Sequence, residues 1–222
     1  MDVASNLQTI KQNISEACKN SNRNPQDITI IAVTKYVTIE RTEETIQAGI
    51  TDIGENRLEG FQEKYHYFKE RAKWHFIGTL QSRKVKEIID QIDVLHSLDR
   101  LSLAKEINKR ASKQIECFVQ VNVSGESSKH GLKPEELLPF LEKLKAYPKI
   151  HVVGLMTMAP HIDDKTKLRS IFRELAQLRV QVQRKQYAYA PCNFLSMGMS
   201  NDYSIAIEEG ATHVRIGTNL VG

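Results

Sequence analysis

Lys35 is the residue whose type and surroundings most suggest a nucleophile. It lies near the end of an apolar run, Ile28 to Tyr36, and strand alternation puts it on the face shared by Thr29, Ile31 and Val33. Apolar surroundings disfavour an ammonium, and a neutral amine condenses with an aldehyde or ketone to give an imine. A lysine here could equally reach past the strand end into solvent or pair with a carboxylate, so position alone leaves its role open.

A second group lies late in the chain. Ser196-Met197-Gly198-Met199-Ser200 leads into a helical pattern starting near Asn201, and a further apolar run ends in Arg215-Ile216-Gly217-Thr218. Gly198 and Gly217 let a backbone approach an anion, Ser196, Ser200 and Thr218 offer hydroxyl donors, and a helix start adds free N–H groups at its positive end. The plain alternative is a strand-to-helix turn capped by Ser200 or Asn201. Arg215 shares parity with His213 and Gly217 and could aim its guanidinium at a pyridine nitrogen, with a rim salt bridge as the alternative. A ring held by arginine stays unprotonated and is a poor electron sink.

Other candidates carry less. Asn56 in Gly54-Glu55-Asn56-Arg57 could bond a ring substituent or simply serve a turn, and His75 reads as a core or rim histidine. Met156, Met158, Met197 and Met199 fall at or just after strand ends, where they either face a ring or fill core. The chain contains no His-Glu-x-x-His, Walker or serine-elbow pattern.

These residues need a frame. Eight apolar, β-branched runs of strand length recur: Ile28 to Tyr36, Thr51 to Gly54, Trp74 to Gly78, Val94 to Leu98, Ile115 to Val123, His151 to Met158, Asn193 to Met197 and His213 to Gly217. Helical periodicity fills the gaps over Ile39 to Ala48, Leu58 to Lys69, Ser82 to Ile89, Leu101 to Ala111, Pro134 to Ala146, Leu168 to Gln183 and Asn201 to Glu209. Such alternation demands a parallel sheet under helices, open or closed. The first strand is among the most apolar in the chain, unlike a typical edge, which favours an α/β (β/α)8 barrel over residues 1–222 as one domain. The leading segment Leu7 to Lys19 then either fills the place of a final helix or caps the barrel bottom.

Closure makes the last strand a neighbour of the first and brings the anion cradle to Lys35. An imine-forming lysine beside a phosphate cup is the pattern expected for pyridoxal 5′-phosphate. Composition agrees with a self-sufficient core: 222 residues, 41% hydrophobic, with 31 basic against 27 acidic side chains and a net charge of +4. The charges are interleaved, which gives little reason to expect nucleic acid. Cys18, Cys117 and Cys192 form no CxxC pair and read as free thiols. Neither a membrane span nor a leader is expected, which suggests a cytoplasmic protein.

Six motifs, in order, resemble one family: Ala32-Val33-Thr34-Lys35, Gly54-Glu55-Asn56-Arg57, Trp74 to Gln81, Gly154 to Met158, Leu195 to Tyr203 and Arg215 to Thr218. Together they are similar to the pyridoxal phosphate homeostasis proteins, single-domain relatives of the alanine racemase barrel. The resemblance implies a TIM barrel that holds pyridoxal phosphate as an imine on Lys35. It further implies a phosphate site around Ser196, Ser200, Gly217 and Thr218, Arg215 near the ring, and Asn56 and Met156 lining the pocket. It also places Glu126, Lys129 and Gly131 at matching loop positions with no role derived. The ending Thr218 to Gly222 departs from the family's more usual Ile-Phe-Gly continuation.

The implied function is buffering or delivery of pyridoxal phosphate to apo-enzymes, without established turnover, by a protein expected to be monomeric. The alternatives are a small pyridoxal-dependent amino-acid racemase and a cofactor-free lysine aldolase. A racemase of this type draws a second acid/base group from an added domain, for which a barrel-length chain leaves no room.

Overall fold

The computed structural model describes residues 2–126 and 130–222. Eight strands, β1 (Thr29–Val33), β2 (Asp52–Glu55), β3 (Lys73–Phe76), β4 (Val94–Leu98), β5 (Ile115–Gln120), β6 (Ile150–Met156), β7 (Phe194–Met199) and β8 (His213–Ile216), pair in chain order and form a closed parallel barrel. Closure runs from Thr29 opposite His213 to Ala32 opposite Ile216. The expected barrel is therefore the observed one, and β1, buried on both faces, has no free edge to protect.

Helices α1 (Val3–Asn20), α2 (Ile39–Gln47), α3 (Leu58–Phe68), α4 (Leu101–Arg110), α5 (Leu137–Leu144), α6 (Lys165–Gln183), α7 (Tyr203–Glu208) and α8 (Thr218–Val221) surround the barrel. Their starts follow local chemistry: Thr38 Oγ1 accepts from Arg41 N at 3.2 Å to open α2, and Asp164 Oδ1 accepts from Lys167 N at 3.0 Å to open α6. The connection from β3 to β4 is a 3-10 segment, Ser82–Glu87, where an α-helix was expected. The leading helix joins the outer ring. Asn6 of α1 donates to Leu220 O of α8 at 3.0 Å, and Asn13 donates to the Tyr203 hydroxyl of α7 at 2.8 Å.

The two faces of the barrel wall differ in chemistry. Outward residues such as Ala32, Ile53, Trp74, Leu95, Cys117, Leu195 and Val214 are buried with the helix faces in one large apolar core. Each fully buried Leu, Ile or Phe there contributes roughly 2 kcal/mol. Among the described residues the inward positions include His75, His96, Ser196 and Arg215, together with Ile31, Val33 and a separate apolar patch of Val94, Phe118, Val153 and Met156. A barrel interior is usually filled by layers of branched apolar side chains; this one carries buried polar groups among them.

Among the described residues no helix is long and apolar enough to cross a membrane. The three cysteines are free and buried. Burial pushes the Cys192 thiol up to about 12 and Cys117 higher still, so neither is a nucleophile in the folded protein.

Candidate functional site

A cavity of about 500 Å³ opens at the C-terminal end of the barrel. Its walls bring together Lys35 after β1, Asn56 after β2, Ser200 after β7, and Arg215, Gly217 and Thr218 from β8 and its loop. Residues far apart in sequence meet here because parallel strands all end on the same rim.

Lys35 differs from expectation in its surroundings. The ladder of β1 stops at Val33, Val37 N turns back onto Thr34 O at 3.2 Å, and Tyr36 takes the left-handed conformation at φ 67. Lys35 therefore sits in a turn, exposed at the cavity mouth, and is not embedded in an apolar wall. Its Nζ lies 5.8 Å from the centre of the Tyr36 ring, and the Arg57 guanidinium lies 5.3 Å from the same ring. Beneath the turn, Glu55 Oε1 accepts from Thr34 Oγ1 at 2.6 Å and from Lys64 Nζ at 2.7 Å, all three side chains being buried.

Asn56 presents a buried Oδ1 with no hydrogen-bond partner, an acceptor waiting for a donor from the cavity. Gly78 holds this residue in place: a Cβ there would come within 2.1 Å of Asn56 O, so only glycine permits the contact.

Arg215 is 4% exposed and fixed at two nitrogens, Nη1 donating to Ser196 Oγ at 2.5 Å and Nη2 to Thr157 O at 2.9 Å. Burial pushes its pKa down to about 10, with Asp202 opposing the shift, so it stays cationic at neutral pH. Its remaining N–H groups are available to a ligand acceptor.

Two residues expected at the cavity lie elsewhere. Ser196 is fully buried below it, receiving the Arg215 bond and lying 2.9 Å from His96 Nδ1, so it serves the arginine and not an anion. Met156 is inside the barrel with Val94 and Phe118, and the cavity wall is supplied by Met158 and Met199 instead. The reason is depth: Ser196 and Met156 both face inward, but they lie earlier along β7 and β6 than Met199 and Met158, which reach the rim.

The expected helix start is also altered. Helix α7 begins at Tyr203, and the buried Asp202 ahead of it accepts from Met199 N at 2.6 Å. Burial raises the Asp202 carboxyl above its ordinary range, with the Met199 N–H and Arg215 opposing. The hydroxyl groups left on this wall are those of Ser200, whose Oγ accepts from Gly217 N at 3.3 Å, and Thr218. Gly217 is not demanded by space, because a Cβ there would meet Val33 at an ordinary 3.5 Å.

Sequence reasoning assigned no role to Asp202, Gln120, His130 or His161, all of which line the cavity. It also passed over His96. The available signal was polar residues at inward parity: Asp52, His75, His96, Ser196 and Arg215 all occupy strand positions where a barrel normally carries Val or Ile. In the loop before α5, Leu132 N donates to Gln120 O at 2.9 Å and Gln120 Nε2 donates to His130 O at 3.2 Å, which ties these two loop residues to the end of β5. Lys129 of that loop lies outside the described residues.

Comparison with known proteins agrees in extent and kind. The family model of the alanine racemase N-terminal domain matches residues 5–222. The chain is 40% identical over 226 residues to the pyridoxal phosphate homeostasis protein of Aquifex aeolicus strain VF5, covering 100% of this chain and 98% of that one. A protein of unknown function from Bifidobacterium adolescentis superposes with a TM-score of 0.91 at 30% identity, covering 98% of this chain and 94% of the other. PipY of Synechococcus elongatus PCC7942, solved with PLP bound, superposes with a TM-score of 0.86 at 27% identity, over 99% and 100% of the two chains.

Proposed function

On the premise that this chain belongs to the alanine racemase N-terminal domain family and, within it, to the pyridoxal phosphate homeostasis proteins, we propose that it binds pyridoxal phosphate in the barrel mouth and buffers or delivers it. The observation that carries the reading is the convergence of Lys35, the unpartnered Asn56 Oδ1 and the cationic Arg215 on one cavity. The donor set suits the group. Asn56 Oδ1 accepts from a phenolic hydroxyl, Arg215 donates to an unprotonated pyridine nitrogen, and Ser200, Thr218 and the backbone around Gly217 take the phosphate. When bound, the cofactor supplies an aldehyde carbon, and Lys35 holds it covalently as an imine.

A carrier role follows from what surrounds that contact. Arg215 keeps its protons and so leaves the ring a weak electron sink, which does not favour amino-acid chemistry. Lys35 is exposed, so the amine that takes the cofactor up is also open to a recipient. We place the protein in the cytoplasm as a monomer, with apo-enzymes that require pyridoxal phosphate as its partners.

The test is titration with pyridoxal phosphate, borohydride reduction and intact-mass measurement of the wild-type protein and Lys35→Ala. One added cofactor mass on the wild type and none on the variant is expected; equal labelling of both refutes the site. Transfer from the loaded protein to an apo-enzyme, with a trap for free cofactor present, separates delivery from storage. Sustained racemisation of an amino acid faster than about 1 per second would replace the carrier by an enzyme.

A further inference from the structure

A row of polar groups crosses the barrel interior. Asp52 Oδ1 lies 2.9 Å from His75 Nε2, His75 Nδ1 2.9 Å from His96 Nε2, His96 Nδ1 2.9 Å from Ser196 Oγ, and Ser196 Oγ 2.5 Å from Arg215 Nη1. These residues come from β2, β3, β4, β7 and β8, so the row spans from one wall to the opposite one. His75, His96 and Ser196 are buried, whereas the Asp52 side chain is 26% exposed at the start of β2, the end of the barrel opposite the cavity.

With both imidazoles neutral, the direction of each hydrogen bond follows from the Asp52 end. The Asp52 carboxylate only accepts, so His75 carries its proton on Nε2 and offers Nδ1 as an acceptor. His96 must then donate from Nε2, which leaves its Nδ1 bare, and the Ser196 hydroxyl donates to it. Ser196 thereby turns a lone pair toward Arg215, which only donates. Burial holds His96 well below the ordinary histidine range and keeps it neutral, as the order requires.

We propose that Asp52, His75, His96 and Ser196 are positioning residues that lock Arg215 in one orientation toward the pyridine nitrogen of the cofactor, a role that rests on the reading of the cavity as a pyridoxal phosphate site. Ser196 Oγ and Thr157 O take different guanidinium nitrogens and so fix its plane as well as its position. Arg215 stays cationic at neutral pH, so the row delivers geometry and carries no proton to the ring. A buried polar row is tolerated only when each member is satisfied, and this one replaces apolar layers that would fill the barrel at no desolvation cost.

The order is tested first on the cofactor-free protein by long-range 15N–1H imidazole spectra, which report each tautomer. Neutral Nε2–H forms of both His75 and His96 are expected; an Nδ1–H form of His96 overturns the order. Asp52→Asn preserves shape but lets either side-chain atom face His75, and it lies far from the cavity. It should mix the tautomers, weaken pyridoxal phosphate binding at least fivefold and move the 15N shift of the labelled ring nitrogen, with the melting transition retained. Ser196→Ala should move the same ring shift while the His75 tautomer persists, and it decides the matter should Asp52→Asn not fold. Unchanged affinity and ring shift in the folded variants overturn the proposal. Failure of the wild type to take up the cofactor refutes the cofactor reading instead, and the imidazole spectra still judge the row.

Discussion

Lys64 of α3 donates from Nζ to the backbone oxygen of Thr34 at 2.8 Å, the carbonyl of the peptide that leads into Lys35. The same ammonium pairs with Glu55 Oε1 at 2.7 Å, and the two side chains are 5% and 2% exposed. A helix residue thus clamps the turn that presents the amine. Lys64→Met strands a buried carboxylate and should cost about 3–5 kcal/mol of stability in urea unfolding, with most of it recovered in the double variant Glu55→Gln/Lys64→Met. A single-variant loss below about 1 kcal/mol would mean the clamp contributes nothing.

Asn56 should trade stability against affinity. Its buried Oδ1 lacks a partner in this structure, so Asn56→Leu removes an unsatisfied acceptor and should raise the cofactor-free melting transition, a gain of up to about 1 kcal/mol. The same change deletes the acceptor for the phenolic hydroxyl and should weaken pyridoxal phosphate about tenfold, or 1.4 kcal/mol. Parallel thermal melts and cofactor titrations check the pair; equal affinity would remove Asn56 from the site.

Acid should weaken the fold through its inner histidines. Burial holds His213 at about 3 and His96 well below its ordinary range, whereas in the unfolded chain both titrate near 6.5. Below that pH the unfolded state binds more protons than the folded one. The stability these two contribute is therefore complete above about pH 6.5 and lost as pH falls toward 3, at about 1.4 kcal/mol per pH unit for each. Urea midpoints at neutral and mildly acidic pH measure this; a flat profile through that window would contradict it.

Gly78→Ala tests the close approach between the ends of β2 and β3. The added Cβ would lie 2.1 Å from Asn56 O and 2.8 Å from Asn56 Cα, so backbone must move. The expected cost is about 1–3 kcal/mol, together with weaker cofactor binding because Asn56 is displaced. A variant with native stability and affinity would show that the rim adjusts freely.

The frame was legible in the sequence because its determinants are local or statistical. Strand and helix periodicity and the apolar, un-edge-like character of the first strand are both sensed within a few residues, whereas the caps at Thr38 and Asp164 were not singled out. The cavity lining was legible where a residue lay at or just past the end of a strand, as Asn56, Ser200, Arg215, Gly217 and Thr218 do. What failed was depth along the strand. Ser196 and Arg215 are both inward, yet only the register of β7 against β8, which shifts between Ser196 and Met199, decides which one surfaces in the cavity. The exposure of Lys35 depended likewise on where β1 stops pairing, and the His75–His96 contact on two side chains meeting across neighbouring strands.

The seam between β1 and β8 sets a schedule for biosynthesis. A nascent polypeptide displays Lys35 about 180 residues before the wall bearing Arg215, Gly217 and Thr218. On the proposed reading, cofactor capture waits until translation has passed the eighth strand, and a chain cut short of it would carry the amine without the facing wall.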